Sequence, residues 1–153
     1  MTQAIAPPPS TLYDRDLNLW LGEAIAQLKA GDFQNLDVEN LIEELEGLAG
    51  RDRREIDSRL ITLIEHILKR CHVDMPDCFG GWQNTIATQR NELTLILEQS
   101  PSLKRYFLDR FDRCFAIALR DTKKEYAKKG YPIPDTWQFG RDIDEMLNVD
   151  FWE

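Results

Sequence analysis

The stretch from Asn40 to Arg70, NLIEELEGLAGRDRREIDSRLITLIEHILKR, repeats apolar residues at steps of three and four with no proline to interrupt it. That period belongs to a helix with one buried stripe and cannot serve a strand. It predicts a helix from about Val38 to Arg70, roughly 50 Å at 1.5 Å per residue. Gly47 and Gly50 mark where a kink or short break is expected. Counting 100° per residue from Leu41, an arc of about 0–100° holds Leu41, Ile42, Leu45, Ala49, Ile56, Leu60, Leu63 and Ile67. Asp52, Arg59 and His66 fall at about 20°, 0° and −20°, where leucines are expected. A buried charge persists only when paired and hydrogen-bonded, because desolvation costs several kcal/mol per ion. These residues therefore predict carboxylate–guanidinium pairs between helices, an internal polar layer that fixes register or lines a pocket.

The remaining segments supply partners for that helix. Leu17, Trp20, Leu21, Ala24, Ile25 and Leu28 recur at helical spacing, predicting one amphipathic helix over Tyr13–Ala30 closed by Gly31. Asp37 is placed to cap the long helix, with Glu39 favourable to its dipole. The segment CHVDMPDCFGG, punctuated by Pro76, Gly80 and Gly81, reads as a loop. A third helix follows over Trp82–Glu98, with Gln89 and Arg90 repeating the polar-on-apolar feature. In SPSL, Ser100 is placed to cap a fourth helix with Pro101 at its first position. That helix runs to about Lys129, buries Leu103, Tyr106, Phe107, Phe111, Cys114, Phe115 and Ala118, and carries Arg110 and Asp121 near its apolar centre. Gly130 ends it, YPIP crosses in extended form, and a short helix near Arg141–Leu147 precedes VDFWE. Phe151 and Trp152 are costly to leave in water, so this tail is expected to dock. Pro7, Pro8 and Pro9 make residues 1–11 a flexible arm. The expectation is an all-α, single-domain bundle over residues 12–153, with four main helices and a short C-terminal one.

Charge narrows the function classes. Residues 13–46 hold nine acids against Arg15 and Lys29, within a chain of net charge −8. Such a chain is repelled by nucleic acid and by anionic membranes unless a basic face is concentrated. The one basic candidate is a stripe on the fourth helix formed by Arg105, Arg113, Arg120, Lys123 and Lys124. Asp109 and Asp112 interrupt it, and no outward aromatics offer base stacking, so nucleic acid is disfavoured as a partner. No apolar run reaches the ~18 residues of a membrane span, and MTQAIAPPPS lacks the regions of a signal peptide. Three cysteines without CxxC spacing fit a reduced, cytoplasmic interior.

Catalytic and metal chemistry find little support. Glu43, Glu44 and Glu46 fan apart at about 200°, 300° and 140° rather than converging. The Glu-x-x-His spacing of a di-metal bundle is absent, since Leu63 precedes His66 and Lys69 precedes His72 by three. Cys71, His72, Asp74 and Cys78 lack the second ligand pair of a structural zinc site. His66 as a general base needs a nucleophile, whereas Thr62 beside it offers a hydrogen bond instead. No catalytic residue, metal or cofactor is assigned.

The motifs LYDRDLNLW, LDVENLIEELEGL, SRLITLIEHILK, the W…TI…QR helix, SPSL and the terminal DFW together resemble the domain of unknown function 29 family, small helical proteins abundant in cyanobacteria. The resemblance covers Leu12 to Trp152 in order; only Asp121–Trp137 departs, being more basic than usual. It implies a helical, cytoplasmic protein and transfers no activity, cofactor or catalytic residue. The first expectation is a non-enzymatic protein-interaction or regulatory module, taking a protein partner or forming a homo-oligomer. The alternative is a small-ligand binder or enzyme whose inter-helix pocket uses Glu44, His66, Trp82, Gln89 and Arg90. The last is nucleic-acid binding through the basic stripe.

Overall fold

The computed structural model describes residues 11–153, all helix, turn and irregular chain with no strand among them. The expected N-terminal arm lies outside the described residues apart from Thr11. The chain divides into two compact units, Met1–Ala49 and Gly50–Glu153.

In the first unit, α1 (Leu12–Arg15) and α2 (Leu17–Ala30) precede the opening turns of α3 (Val38–His72). The single helix expected over Tyr13–Ala30 is interrupted at Asp16. Its backbone leaves the helical region (φ −153°, ψ 89°), and its carboxylate accepts a hydrogen bond from the Leu19 amide at 3.0 Å. A short carboxylate competes with helical carbonyls for backbone amides, so Asp16 caps α2 instead of continuing α1. Gly31 closes α2 in the left-handed conformation, φ 71°. Asp37 caps α3 as expected, accepting from the Asn40 amide at 3.3 Å.

This unit is held mainly by aromatic and polar contacts. The Tyr13 ring meets Trp20 edge-on at 4.8 Å. The Tyr13 hydroxyl donates to Glu44 Oε1 at 2.5 Å. Trp20 and Ala24 are buried, but Leu17, Ile25 and Leu28 of the expected buried stripe are exposed. So are Ile42, Leu45 and Ala49, which the periodicity of α3 assigned to a core.

The second unit begins within α3 and adds α4 (Pro76–Gln99), α5 (Leu103–Tyr126) and α6 (Ile143–Asn148). Helical structure continues through Gly47 and Gly50, so the short break expected there does not occur. The expected loop over Cys71–Gly81 shrinks to residues 73–75. Pro76 takes the first position of α4, where a missing amide costs nothing, and Gly80 and Gly81 lie inside the helix. Interior glycines cost only about 1 kcal/mol each relative to alanine, which the packing of α4 outweighs. Ser100 does not cap α5 with its side chain. Its amide closes α4 on the Ile96 carbonyl at 2.9 Å, Pro101 and Ser102 form a turn, and α5 starts at Leu103. A single 3-10 turn, Ala127–Lys129, extends α5 to Gly130.

Ile56, Leu60, Leu63, Ile64, Ile67 and Leu68 of α3 are buried with Ile86, Leu93 and Leu97 of α4 and Phe107, Phe111, Cys114 and Ala118 of α5. Each such aliphatic or aromatic side chain contributes about 1.5–3 kcal/mol on burial. Met146 closes the core from α6, and Trp137 bridges Phe111, Phe139 and Phe151 in edge-on contacts. Phe151 and Trp152 pack against this core, as their cost in water predicts.

Candidate functional site

Ionic side chains tie each helix of the second unit to a neighbour. Between α3 and α5, Asp57 receives Arg110 through both carboxylate oxygens, Nε to Oδ1 at 2.8 Å and Nη2 to Oδ2 at 3.1 Å, and the Tyr106 hydroxyl at 2.9 Å. This planar, two-point geometry is the strong form of carboxylate recognition. The same contact pushes the Arg110 guanidinium above its ordinary range. Lys69 of α3 also lies 3.4 Å from Glu125 of α5. Between α3 and α4, Arg59 donates to Gln89 Oε1 at 3.1 Å while its Nε is held by Glu55 of its own helix at 2.9 Å. The carboxylate nearest it on α4, Glu92, stands at 3.8 Å. The partner across the helices is thus chiefly an amide, not the carboxylate expected.

Arg90 joins α4 to the tail. It is buried, and its guanidinium donates from Nε to the Met146 carbonyl at 2.9 Å, from Nη2 to the Val149 carbonyl at 2.6 Å, and from Nη1 to Asp150 at 3.2 Å. Two of these acceptors are carbonyls at the end of α6, which a helix leaves without internal partners. Burial lowers the guanidinium's affinity for its proton, and Asp150 opposes that.

The remaining expected residues are dispersed. His66, half-buried, directs Nδ1 at the Thr62 carbonyl at 2.8 Å, so the neutral ring carries its proton there. Burial lowers its pKa, as it does for His72. Trp82 packs edge-on against Tyr126 at 6.1 Å. Asp52 sits half-buried one turn before Ile56. Glu44 belongs to the first unit, where its hydrogen bond pushes the Tyr13 hydroxyl up to about 12. Gln89 and Arg59 line an open groove of about 590 Å³ with Arg51, Arg54, Ser58 and Thr62. Arg90 lines a separate depression of about 310 Å³ beside Trp152. Burial pushes the Cys71 and Cys114 thiols up to about 11, which removes their nucleophilic thiolates at neutral pH. Among the described residues, no group of three acidic, histidine or cysteine side chains is arranged to hold a metal ion.

On α5 the expected basic stripe is substantially neutralised. Arg105 pairs with Asp109, Arg120 with Asp121, and Lys123 with Asp135. Arg113 and Lys124 are partly or fully exposed to water.

Two features escaped the sequence. Asp57 lies roughly 60° beyond the apolar arc of α3, so the arc did not mark it. The second is a concentration of uncovered apolar side chains. Among the described residues twelve large ones are exposed, and nine belong to the first unit: Leu17, Leu19, Ile25, Leu28, Phe33, Val38, Ile42, Leu45 and Leu48. On α3, Val38, Ile42, Leu45 and Leu48 share one face within about 120°. Glu39, Glu43 and Glu46 border that face at about 140–200°. The acidic density of residues 13–46 was the available signal, since it leaves few bases to neutralise such a border.

The fold and these contacts define an all-α protein whose second unit is tied helix to helix by polar side chains. The chain belongs to the family described as Domain of unknown function DUF29, whose model matches residues 12–152, nearly its whole length. No curated protein and no solved structure matches it.

Proposed function

We propose that this chain is a non-enzymatic, cytosolic protein-interaction module, a single helical domain over residues 12–153. Its docking surface is the apolar face of the first unit, and its inward ionic ties fix helix register in the second. The carrying observation is the exposure of nine large apolar side chains within one small unit. Patches of this kind mark interaction sites, because monomeric proteins rarely leave them uncovered. The dispersal of the histidine, cysteine and carboxylate groups supports a role without catalysis. The match of one family model across residues 12–152 supports reading the chain as one domain. No helix among the described residues is long and apolar enough to cross a membrane, which accords with a protein partner rather than a bilayer.

Photo-crosslinking tests the reading directly. A crosslinker replacing Leu45 is expected to give protein adducts in cells, while one replacing the exposed Ala116 of α5 gives none. Absence of adducts at Leu45, together with strictly monomeric sedimentation, would remove the proposal. A second reading, small-ligand binding, rests on the groove lined by Arg51, Arg59 and Gln89, with Glu55 on the same wall beside Arg59. It predicts saturable binding of phosphate-class anions that Gln89→Leu weakens, measured by calorimetry. Nucleic-acid binding has the least support, given the carboxylates paired along the α5 stripe.

A further inference from the structure

Resting on the docking reading above, the geometry points to a partner of specific chemistry: we propose that the first unit receives a basic amphipathic helix from another protein. Three observations carry this. The exposed stripe on α3 follows the order Val38, Ile42, Leu45 and Leu48, at intervals of four, three and three residues. A stripe of about three turns is matched by a second helix presenting anchors at the same spacing.

Charge then selects among helices. The unit holds nine acids against Arg15 and Lys29, a net of −7, and Glu39, Glu43 and Glu46 are exposed at the edge of the apolar face. An acidic helix brought there would meet like charges on partial desolvation, whereas lysine or arginine flanking its apolar stripe would meet complementary ones. Binding would combine apolar burial with attraction that salt screens.

A second copy of this chain is a poorer occupant on the same grounds. Packing the face on itself would oppose two surfaces of net −7. Three bases of the chain's own α5 stripe, Arg105, Arg120 and Lys123, each stand beside a carboxylate already, while Arg113 and Lys124 are exposed. A helix that carries its bases beside its own apolar stripe is therefore the better match.

The test uses the full chain and two synthetic helical peptides with identical leucine spacing, one carrying lysine on its flanks and the other glutamate. Fluorescence anisotropy is read at about 50 and 300 mM salt, on either side of the Debye length's sensitive range. The lysine peptide is expected to bind at least tenfold more tightly, with the gap closing at the higher salt. A variant with Ile42→Ser, Leu45→Ser and Leu48→Ser should lose tenfold or more for that peptide. Glu39→Gln with Glu43→Gln and Glu46→Gln should instead erase the preference while keeping the leucine-dependent part. Circular dichroism of both variants confirms that helix content is retained, these positions being exposed. Equal affinity for the two peptides, no binding of either, or binding unaffected by the serine variant would each overturn the inference. So would self-association abolished by the serine variant, which identifies the occupant as a second copy. If crosslinks from Leu45 persist while the lysine preference fails, the docking reading stands and only the partner's chemistry is wrong.

Discussion

The two halves of α3 carry the same rhythm and meet opposite fates. From Val38 to Ala49 the stripe Val38, Ile42, Leu45, Leu48 stands in water, with Leu45 56% and Leu48 61% exposed. From Gly50 to His72 the stripe Ile56, Leu60, Leu63, Ile67 is wholly buried. Nothing in helix propensity separates them. The difference is cover: the second half meets the leucines, isoleucines and phenylalanines of α4 and α5, while the first shares its unit only with α1 and α2. Periodicity thus specifies which face of a helix is apolar, and the supply of apolar partners specifies whether that face is core or interface.

Substitutions across the two halves should separate these roles. The largest effect is expected from Leu63→Ala, which empties a fully buried site and should cost about 2–5 kcal/mol in chemical denaturation. The matching Leu45→Ala should stay within about 0.5 kcal/mol, as surface changes do. A comparable loss at both positions would erase the distinction between core and docking face. Next in size, Arg90→Ala should cost on the order of 3 kcal/mol, because a charged donor leaves two carbonyls and a carboxylate without it. Arg90→Lys should recover little, since a single ammonium cannot reproduce the guanidinium fork. Tryptophan emission from the tail reads both variants.

A smaller effect comes from acid pH and belongs to the second half. His66 and His72 have lowered pKa values when folded, so the unfolded chain binds more protons as pH drops through the ordinary histidine value of 6.5. Stability is therefore full above that pH and declines as pH falls toward the folded values. His66→Gln should flatten part of the decline in melting temperature between pH 7 and 5. The mildest expectation concerns the first half. Tyr13, raised to about 12 by Glu44, contributes stability that is present below pH 10 and lost as pH rises toward 12. Phenolate absorbance should show late-titrating tyrosines, since burial also raises Tyr126 to about 12, and one fewer of them in Tyr13→Phe.

Much of this architecture was legible in the residues. The all-α class, the span of α3, the Asp37 cap, the closing Gly31 and Gly130, and the docking of Phe151 and Trp152 follow from periodicity, capping chemistry and apolar cost. Local rules failed where one residue could serve two neighbours: Asp16 caps α2 and thereby breaks a helix, and Pro76 opens α4 where proline and glycines read as loop. The polar residues on the apolar arc were visible, but not their partners, because periodicity gives direction without depth. Arg59 therefore finds Gln89, Arg90 reaches the tail, and the two-point carboxylate–guanidinium contact falls to Asp57 on the flank. The exposed face of the first unit was hidden for a related reason: an uncovered stripe and a covered one are written identically.

The Arg90 hydrogen bonds join residues 56 to 60 positions apart in the chain. Closing so long a span carries an entropic cost that short-range helical contacts do not. The last turn of α6 should accordingly settle late in folding and open early under stress, so amide exchange at Val149 would record a partial opening well before the centre of α3 yields.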